Sequence, residues 1–525
     1  MVRRALRARD STLPAARTAT VPAPVGGRNT RDDLAAMPET DAEILDNWFP
    51  EGSYVRPRRG VNNHKGVLPG QIESILSYAN GATLKLFAAC SGTMQDITTA
   101  GTTASNSTAT SMTGLTNNRW QYVNFGAAGV NVLACVNGAD APRQYDGATW
   151  AAMTFASTSI GTATSSQFIG VMEHKQRLFF IQDDTLKFWY MGNTNSYSGT
   201  VTSFDLSSLM QMGGELMCLG SWTRDGGAGM DDYAVFVSDR GEAAVFAGTD
   251  PGNSSNWTLE GVYRIPAPLS RRSMQKLGGD LLILTELGVL PFSMALSGRE
   301  PQALLTDKIR DTVADDVSVY RANFGWELKF FPAGHQLFIN VPVTAGAYQK
   351  QHVMNTGTGA WGSYGEIASR IEANCWEVHN NQLLYGGNTF VRRAETGTND
   401  YGADIQCELK QASSHFGLPG QLKKFNLMRC HMRSDGELPF AFGLNIDFSD
   451  VPPSSIPTPT AISWPEWDVA TWDDFYWGDN PRPVGTWQAA NGLGTYAALR
   501  IKGAVNSETI QFIATDYVYE PAGLF

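Results

Sequence analysis

The feature that most constrains this chain is a rhythm of short apolar runs broken by turn residues. "ESILSYANGATLKLFAACSGTMQDIT" (73–98) holds one run, a tight turn and a second run. "RWQYVNFGAAGVNVLACVNGADAPRQYDGATWAAM" (119–153) and "FIGVMEHKQRLFFIQDDTLKFWYMG" (168–192) repeat the plan, as do stretches beginning at Tyr233, Ser273, Trp326 and Arg370. Short runs bounded by Gly, Asn and Asp read as strands, not helices. Asn80-Gly81, Asn137-Gly138 and Asp146-Gly147 are hairpin signatures, because the residues of such a turn take positive φ. Asp183-Asp184, Arg240-Gly241, Leu287-Gly288 and Asn380-Asn381 hold matching places between apolar runs. A unit of about 40–60 residues, each a small meander, is the building block of a β-propeller. Irregular sandwich hairpins would give a looser version of the same pattern. The recurrence favours the propeller without fixing its number of blades.

The rhythm changes near residue 400. "GADIQCELKQASSHFGLPGQLKKFNLMRCHMRSDG" reads as longer strands, and "TIQFIATDYVYE" alternates as a strand facing a core does. Residues 1–31 hold seven arginines against one acid, Asp10, and Pro14, Pro22 and Pro24 interrupt them. They suit an extended basic arm and lack the apolar stretch of a signal peptide. "TRDDLAAM" (30–37) is a helical candidate with acids in its first turn and Pro38 as its stop. Residues 98–118 are low-complexity and suit an exposed loop. The expected fold class is all-β: an N-terminal arm (1–45), a β-propeller (46–400) and a C-terminal β-sandwich-like domain (401–525). Only 17% of the residues are charged, below the usual quarter, as many strands and turns require.

Charge and chemistry narrow the function. The net charge of −11 argues against a protein that grips DNA, yet it suits a surface past which DNA slides. No run of apolar residues is long enough for a membrane helix. The six cysteines, Cys90, Cys135, Cys218, Cys375, Cys407 and Cys430, show neither zinc spacing nor a disulfide framework, and read as buried thiols from a reducing cytoplasm. The seven histidines are scattered; His415 and His431 read as structural residues, with a shared metal as the alternative. Nucleophile elbows, zinc-protease motifs and phosphate loops are absent from the text. The expectation is therefore a non-enzyme without cofactor or metal. "RPRRG" places Arg56, Arg58 and Arg59 together, either to touch a phosphate backbone or neighbouring subunit or as structural arginine pairs in a turn. "SWPEWDVATWDDFYWGD" gathers Trp464, Trp467, Trp472 and Trp477 among acids. Such a loop can anchor an interface or a fibre, stack on sugar, or fold onto its own domain.

"DNWFPEGSYVRPRRG" (46–60) resembles the opening of the tail nozzle proteins of short-tailed bacteriophages, with an Asn-x-x-Pro segment followed by an Arg-Pro/Arg-Gly turn. "MNTGTGAWGSYG" resembles a late propeller segment of that family. "LLYGGNTFVRRAETGTNDYGADIQCEL" resembles its passage into the C-terminal domain, and "FNLMRCHMRSDG" the strand that follows. The likeness is diffuse over 45–525, and the tryptophan loop has no counterpart in it. The resemblance implies a propeller carrying sandwich-like elements, assembled as a homohexameric ring beneath the portal and its adaptor. Such a ring lines the DNA exit channel with transient, non-specific DNA contact, and tail fibre or plug proteins attach to it. It would sit in the virion tail after assembly in the host cytoplasm. The alternative from another class is a carbohydrate-binding or carbohydrate-degrading propeller of a tail spike.

Overall fold

The computed structural model describes residues 16–101, 109–127, 129–156, 162–225, 230–296, 304–344, 346–453 and 482–524. The chain divides into two compact units, Met1–Pro57 with Asp404–Phe525, and Arg58–Ala403. The fold is a β-propeller, held in the second unit.

In that unit antiparallel sheets stand side by side around an axis. Among the described residues, six are self-contained sheets, and the four strands from Glu327–Phe331 to Trp361–Tyr364 make a seventh blade. The innermost strands, in order, are Ile72–Asn80, Gln121–Ala127, Phe168–His174, Leu216–Asp225, Met274–Leu277, Glu327–Phe331 and Cys375–His379. Each packs beside the next, and the last returns to the first. We number the blades 1 to 7 in this order. Blade 7 closes the ring by borrowing: its outer strand is Asn62–Lys65, which precedes blade 1 in sequence and pairs with Val391–Ala394. Alternate side chains of each sheet face opposite neighbours, so apolar layers form between blades. Phe179, Phe188, Phe236 and Trp257 fill the layer between blades 3 and 4, with Phe188 and Phe236 stacked at 4.2 Å.

The turn residues behave as their chemistry requires. Asn380 and Asn381 both take positive φ (48° and 55°) in the two-residue turn of blade 7. Asn137-Gly138 is a different device. Its strand partner begins only at Arg143, and Asn137 Oδ1 instead accepts the N–H groups of Ala139 and Asp140. The expected loop over 98–118 contains the outer strand of blade 1, Ala109–Thr113.

The other unit is two sheets around one core. In the first, the long strands Gln421–Ser434 and Ile510–Leu524 pair at the centre. Trp487–Gly494 and Arg482–Val484 flank one side, and Arg17–Pro22 and the pair Trp48–Pro50/Val55–Pro57 flank the other. The second sheet runs Gly27–Arg28, Asp41–Asp46, Ile405–Gln411, Ala497–Val505, Phe440–Ile446. Val21, Trp48, Phe425 and Tyr517 from one sheet meet Leu45, Leu409, Leu499 and Ile501 from the other.

Two expectations need correction. The chain does not divide at residue 45, because Arg17–Pro57 supplies strands to the unit completed by the C-terminal residues; positions 1–15 of the expected arm lie outside the described residues. The helix expected at 30–37 is a run of turns. Asn29 Oδ1 accepts the N–H groups of Arg31 and Asp32, and Asp33 Oδ1 accepts that of Ala35. Short polar side chains that satisfy local N–H groups displace the helical bonds.

Candidate functional site

The first strands of the seven blades surround a cavity of about 400 Å³ on the propeller axis. Its wall has two characters. Blades 3 to 5 contribute Val171, Leu219 and Met274, while blades 2, 6 and 7 contribute Tyr122, Asn124, Glu327, Lys329 and Glu377. "ELKFF" explains how charge reaches the axis without breaking the core. Leu328 and Phe330 turn to the apolar layer that also holds Leu282 and Leu284 of blade 5, so Glu327 and Lys329 turn the other way, toward blade 7.

There the charges meet partners. Lys329 Nζ donates to Glu377 Oε1 at 3.0 Å, and Glu327 Oε2 accepts the N–H of Trp376 at 3.0 Å. Arg272 reaches in from the turn before blade 5. Its Nη1 lies 3.8 Å from Glu327, and its Nη2 donates to Ser74 Oγ at 2.7 Å and to the Glu73 carbonyl at 2.8 Å. Arg119 lies 3.9 Å over the Phe324 ring, with Arg272 at 5.5 Å, and bonds Glu73 at 3.1 Å. These residues all sit at the starts of first strands, so they cap one mouth of the cavity. Farther along, Ser77 Oγ and His379 Nδ1 are 2.8 Å apart, joining blades 1 and 7.

Burial sets the protonation of this cluster. It holds the Glu327 carboxyl above its ordinary range, against the pull of Arg272 and Lys329. It would lower the Lys329 ammonium, but Glu377 and Glu327 outweigh it and raise that group instead. Burial and Glu377 keep the Tyr122 hydroxyl well above its usual value, and burial pushes the Cys375 thiol to about 12. The cavity thus presents two cations and two carboxylates, paired with one another, beside an apolar wall. That arrangement leaves room for a small polar molecule, and its charge is balanced. Among the described residues no three His, Cys, Asp or Glu side chains gather as metal ligands.

The residues singled out from sequence lie elsewhere. Arg56 is in the two-sheet unit, bonded to Glu51 at 3.0 Å with Phe49 beneath it at 4.8 Å. Arg58 is 2% exposed: its guanidinium bonds Asp400 (2.8 and 2.5 Å) and the Ser369 carbonyl (2.9 Å). This corrects the expectation of a DNA or subunit contact at Arg58, since a guanidinium committed inside the fold cannot reach out. Arg59 is exposed. Trp464, Trp467, Trp472 and Trp477 lie outside the described residues. His415 and His431 belong to different clusters, the first against Tyr496 and the second on Asp516 at 2.6 Å. The axial charges were not singled out. Their signal was Glu and Lys two residues apart within the apolar strand "WELKFF".

No protein-family model and no curated protein matches the sequence. Among solved structures, a protein of Bacteroides fragilis NCTC 9343 provisionally named a 6-phosphogluconolactonase is similar at 10% identity and a TM-score of 0.35, over 65% of this chain and 90% of that one. A similarly named protein of Bacteroides uniformis ATCC 8492 matches at 12% identity and a TM-score of 0.32, over 64% and 91%. No residue role is carried over from either.

Proposed function

We propose that this chain is a structural subunit of the tail of a short-tailed bacteriophage, forming the nozzle ring beneath the portal and adaptor. One observation carries the reading. Segments 16–57 and 404–524 build one two-sheet unit, and the propeller is inserted between them. A propeller carrying sandwich-like elements is the architecture that the resemblance of residues 46–60 implies. That segment is framework: Trp48 and Phe49 are buried, and it forms the strand pair Trp48–Pro50/Val55–Pro57. The propeller's own cavity does not carry the DNA. A space of about 400 Å³ plugged by Arg272 cannot admit a duplex whose major groove alone is about 12 Å wide. In this reading DNA passes through the lumen of the ring, along outer surfaces of the subunits. The subunit acts there as a scaffold, with no turnover and no cofactor.

Cryo-electron microscopy of virions from the source tests this. Density fitting the chain in a six-fold ring below the adaptor is expected. Density in a peripheral spike would overturn the reading and leave the carbohydrate-active propeller as its replacement.

A further inference from the structure

The first sheet of the two-sheet unit ends in two open edges. At one edge Trp487–Gly494 pairs only with Gln421–Ser434, and at the other Arg17–Pro22 pairs only with Ile510–Leu524, among the described residues. An open edge is a row of unpaired N–H and C=O groups, which proteins ordinarily blunt with Lys, Pro, bulges or cover. "WQAANGLG" has no Lys or Pro, and its pairing with Gln421–Ser434 shifts register between Ala489 and Gly492, beyond the part that holds Trp487 and Ala489. It is uncharged over eight residues and exposes Trp487 (40%), Ala489, Asn491 and Leu493 (58%). The opposite edge, "RTATVP", exposes Arg17, Thr18 and Thr20.

The registers join the two edges in straight rows. Trp487, Arg429, Asp516 and Thr20 stand side by side across four strands, and so do Ala489, Leu427, Val518 and Thr18. The first row is tied from edge to edge. Arg429 lies 4.6 Å over the Trp487 ring and donates to Asp516 at 2.7 Å, and Thr20 Oγ1 donates to Asp516 at 2.7 Å. All three pairings are antiparallel. A second copy added without changing the sheet's sense therefore lays its Arg17–Pro22 antiparallel against Trp487–Gly494 of the first. The six residues of one edge fit along the eight of the other.

We infer that copies of this chain associate head to tail by edge pairing, Arg17–Pro22 of one copy against Trp487–Gly494 of the next. This is a heterologous contact, the kind that closes rings when its rotation permits. Main-chain bonds supply the attachment, and Trp487, Ala489 and Leu493 supply apolar cover. The inference rests on the ring reading above and specifies which surfaces build the ring.

Cysteine cross-linking tests it, because all six native thiols are buried. Full-length chains carrying Ala489→Cys are mixed at micromolar concentration with chains carrying Thr18→Cys or Thr20→Cys and gently oxidised. Facing residues of an antiparallel pair lie at disulfide-forming separation. The expected product is a covalent dimer joining position 489 of one chain to position 18 or 20 of another, lost when Leu493→Lys places a charge on the edge. Each single variant still melts as the parent does, which separates lost contact from lost fold. A dimer joining 489 to 489 would mean symmetric pairing and overturn the inference. So would the absence of any inter-chain product from every mixture. A ring seen by microscopy without this cross-link removes the edge contact and leaves the nozzle reading. Cross-linked open chains keep the edge contact and remove the ring.

Discussion

At the scale of single residues, the axial charges are held by one another and not by solvent. The Lys329 and Glu377 side chains are 18% and 8% exposed, and their partners are each other, Glu327 and Arg272. Removing one member strands a buried charge. Lys329→Met should destabilise the propeller by about 3–5 kcal/mol, and Lys329→Met with Glu377→Leu should recover most of it, because an apolar pair carries no desolvation cost. Urea midpoints of Lys329→Met, Glu377→Leu and the double variant measure this; a double-variant loss equal to the sum of the two single losses would show that the pair is not coupled. Titration gives a second handle. Burial brings His174 to about 4 from an ordinary 6.5, and lowers His64 and His379 as well. Their neutral forms belong to the native state, so the stability they confer is complete above pH 6.5 and is lost as pH falls below it, for His174 toward 4. Burial alone would raise Asp516, but hydrogen bonds from Thr20, Arg429 and His431 outweigh it and bring the carboxyl to about 2. Its contribution is complete above the unfolded value of about 3.9 and is lost as pH falls toward 2. The urea midpoint should therefore fall in two windows. His174→Gln should flatten the upper one and Asp516→Asn the lower.

At the scale of elements, turns decide where each strand begins, and some have no substitute. Asn381 takes φ 55°, which a β-branched residue adopts only at a cost. Asn381→Val should destabilise by about 1–2 kcal/mol, read as a lowered melting midpoint, with Asn381→Gly close to neutral. Gly241 is more stringent. It takes φ 83°, and a Cβ there would stand 2.2 Å from the Ile265 carbonyl oxygen. Gly241→Ala should exceed the Asn381→Val loss in the same assay, since two backbone segments would have to separate.

At the scale of the whole molecule, the two units differ in how the chain builds them. Residues 58–403 are continuous and close their ring with their own first strand. That segment expressed alone should give a folded propeller with cooperative unfolding. Residues 404–525 alone lack Val21, Leu45, Trp48 and Val55, which belong to the shared core. That fragment should be insoluble or unfolded by circular dichroism, and adding residues 16–57 on a linker should restore it. Burial also raises the thiols of Cys90 (to about 11), Cys218 and Cys375 (each to about 12). A colourimetric thiol reagent should find none of the six in the native chain and all of them after denaturation.

The local layer of this structure was legible in the sequence. Alternating apolar runs and Asn, Asp or Gly at turns dictate strands and hairpins, because they act within a few residues through φ and side-chain direction. Those signals sufficed for the all-β class and the propeller repeat. They failed at residues 30–37, where Asn29 and Asp33 bond local N–H groups that a helix would have used. Only tertiary structure decided the rest. That strand Asn62–Lys65 completes the last blade, that residues 17–57 share a core with residues 404–524, and that Glu327, Lys329, Glu377 and Arg272 converge on one axis are facts of pairing across hundreds of residues. Nothing within a single window distinguishes an edge strand from an inner one, or a buried arginine such as Arg58 from the exposed Arg59 beside it. Those distinctions belong to partners, and partners are chosen by the closed ring and the shared core.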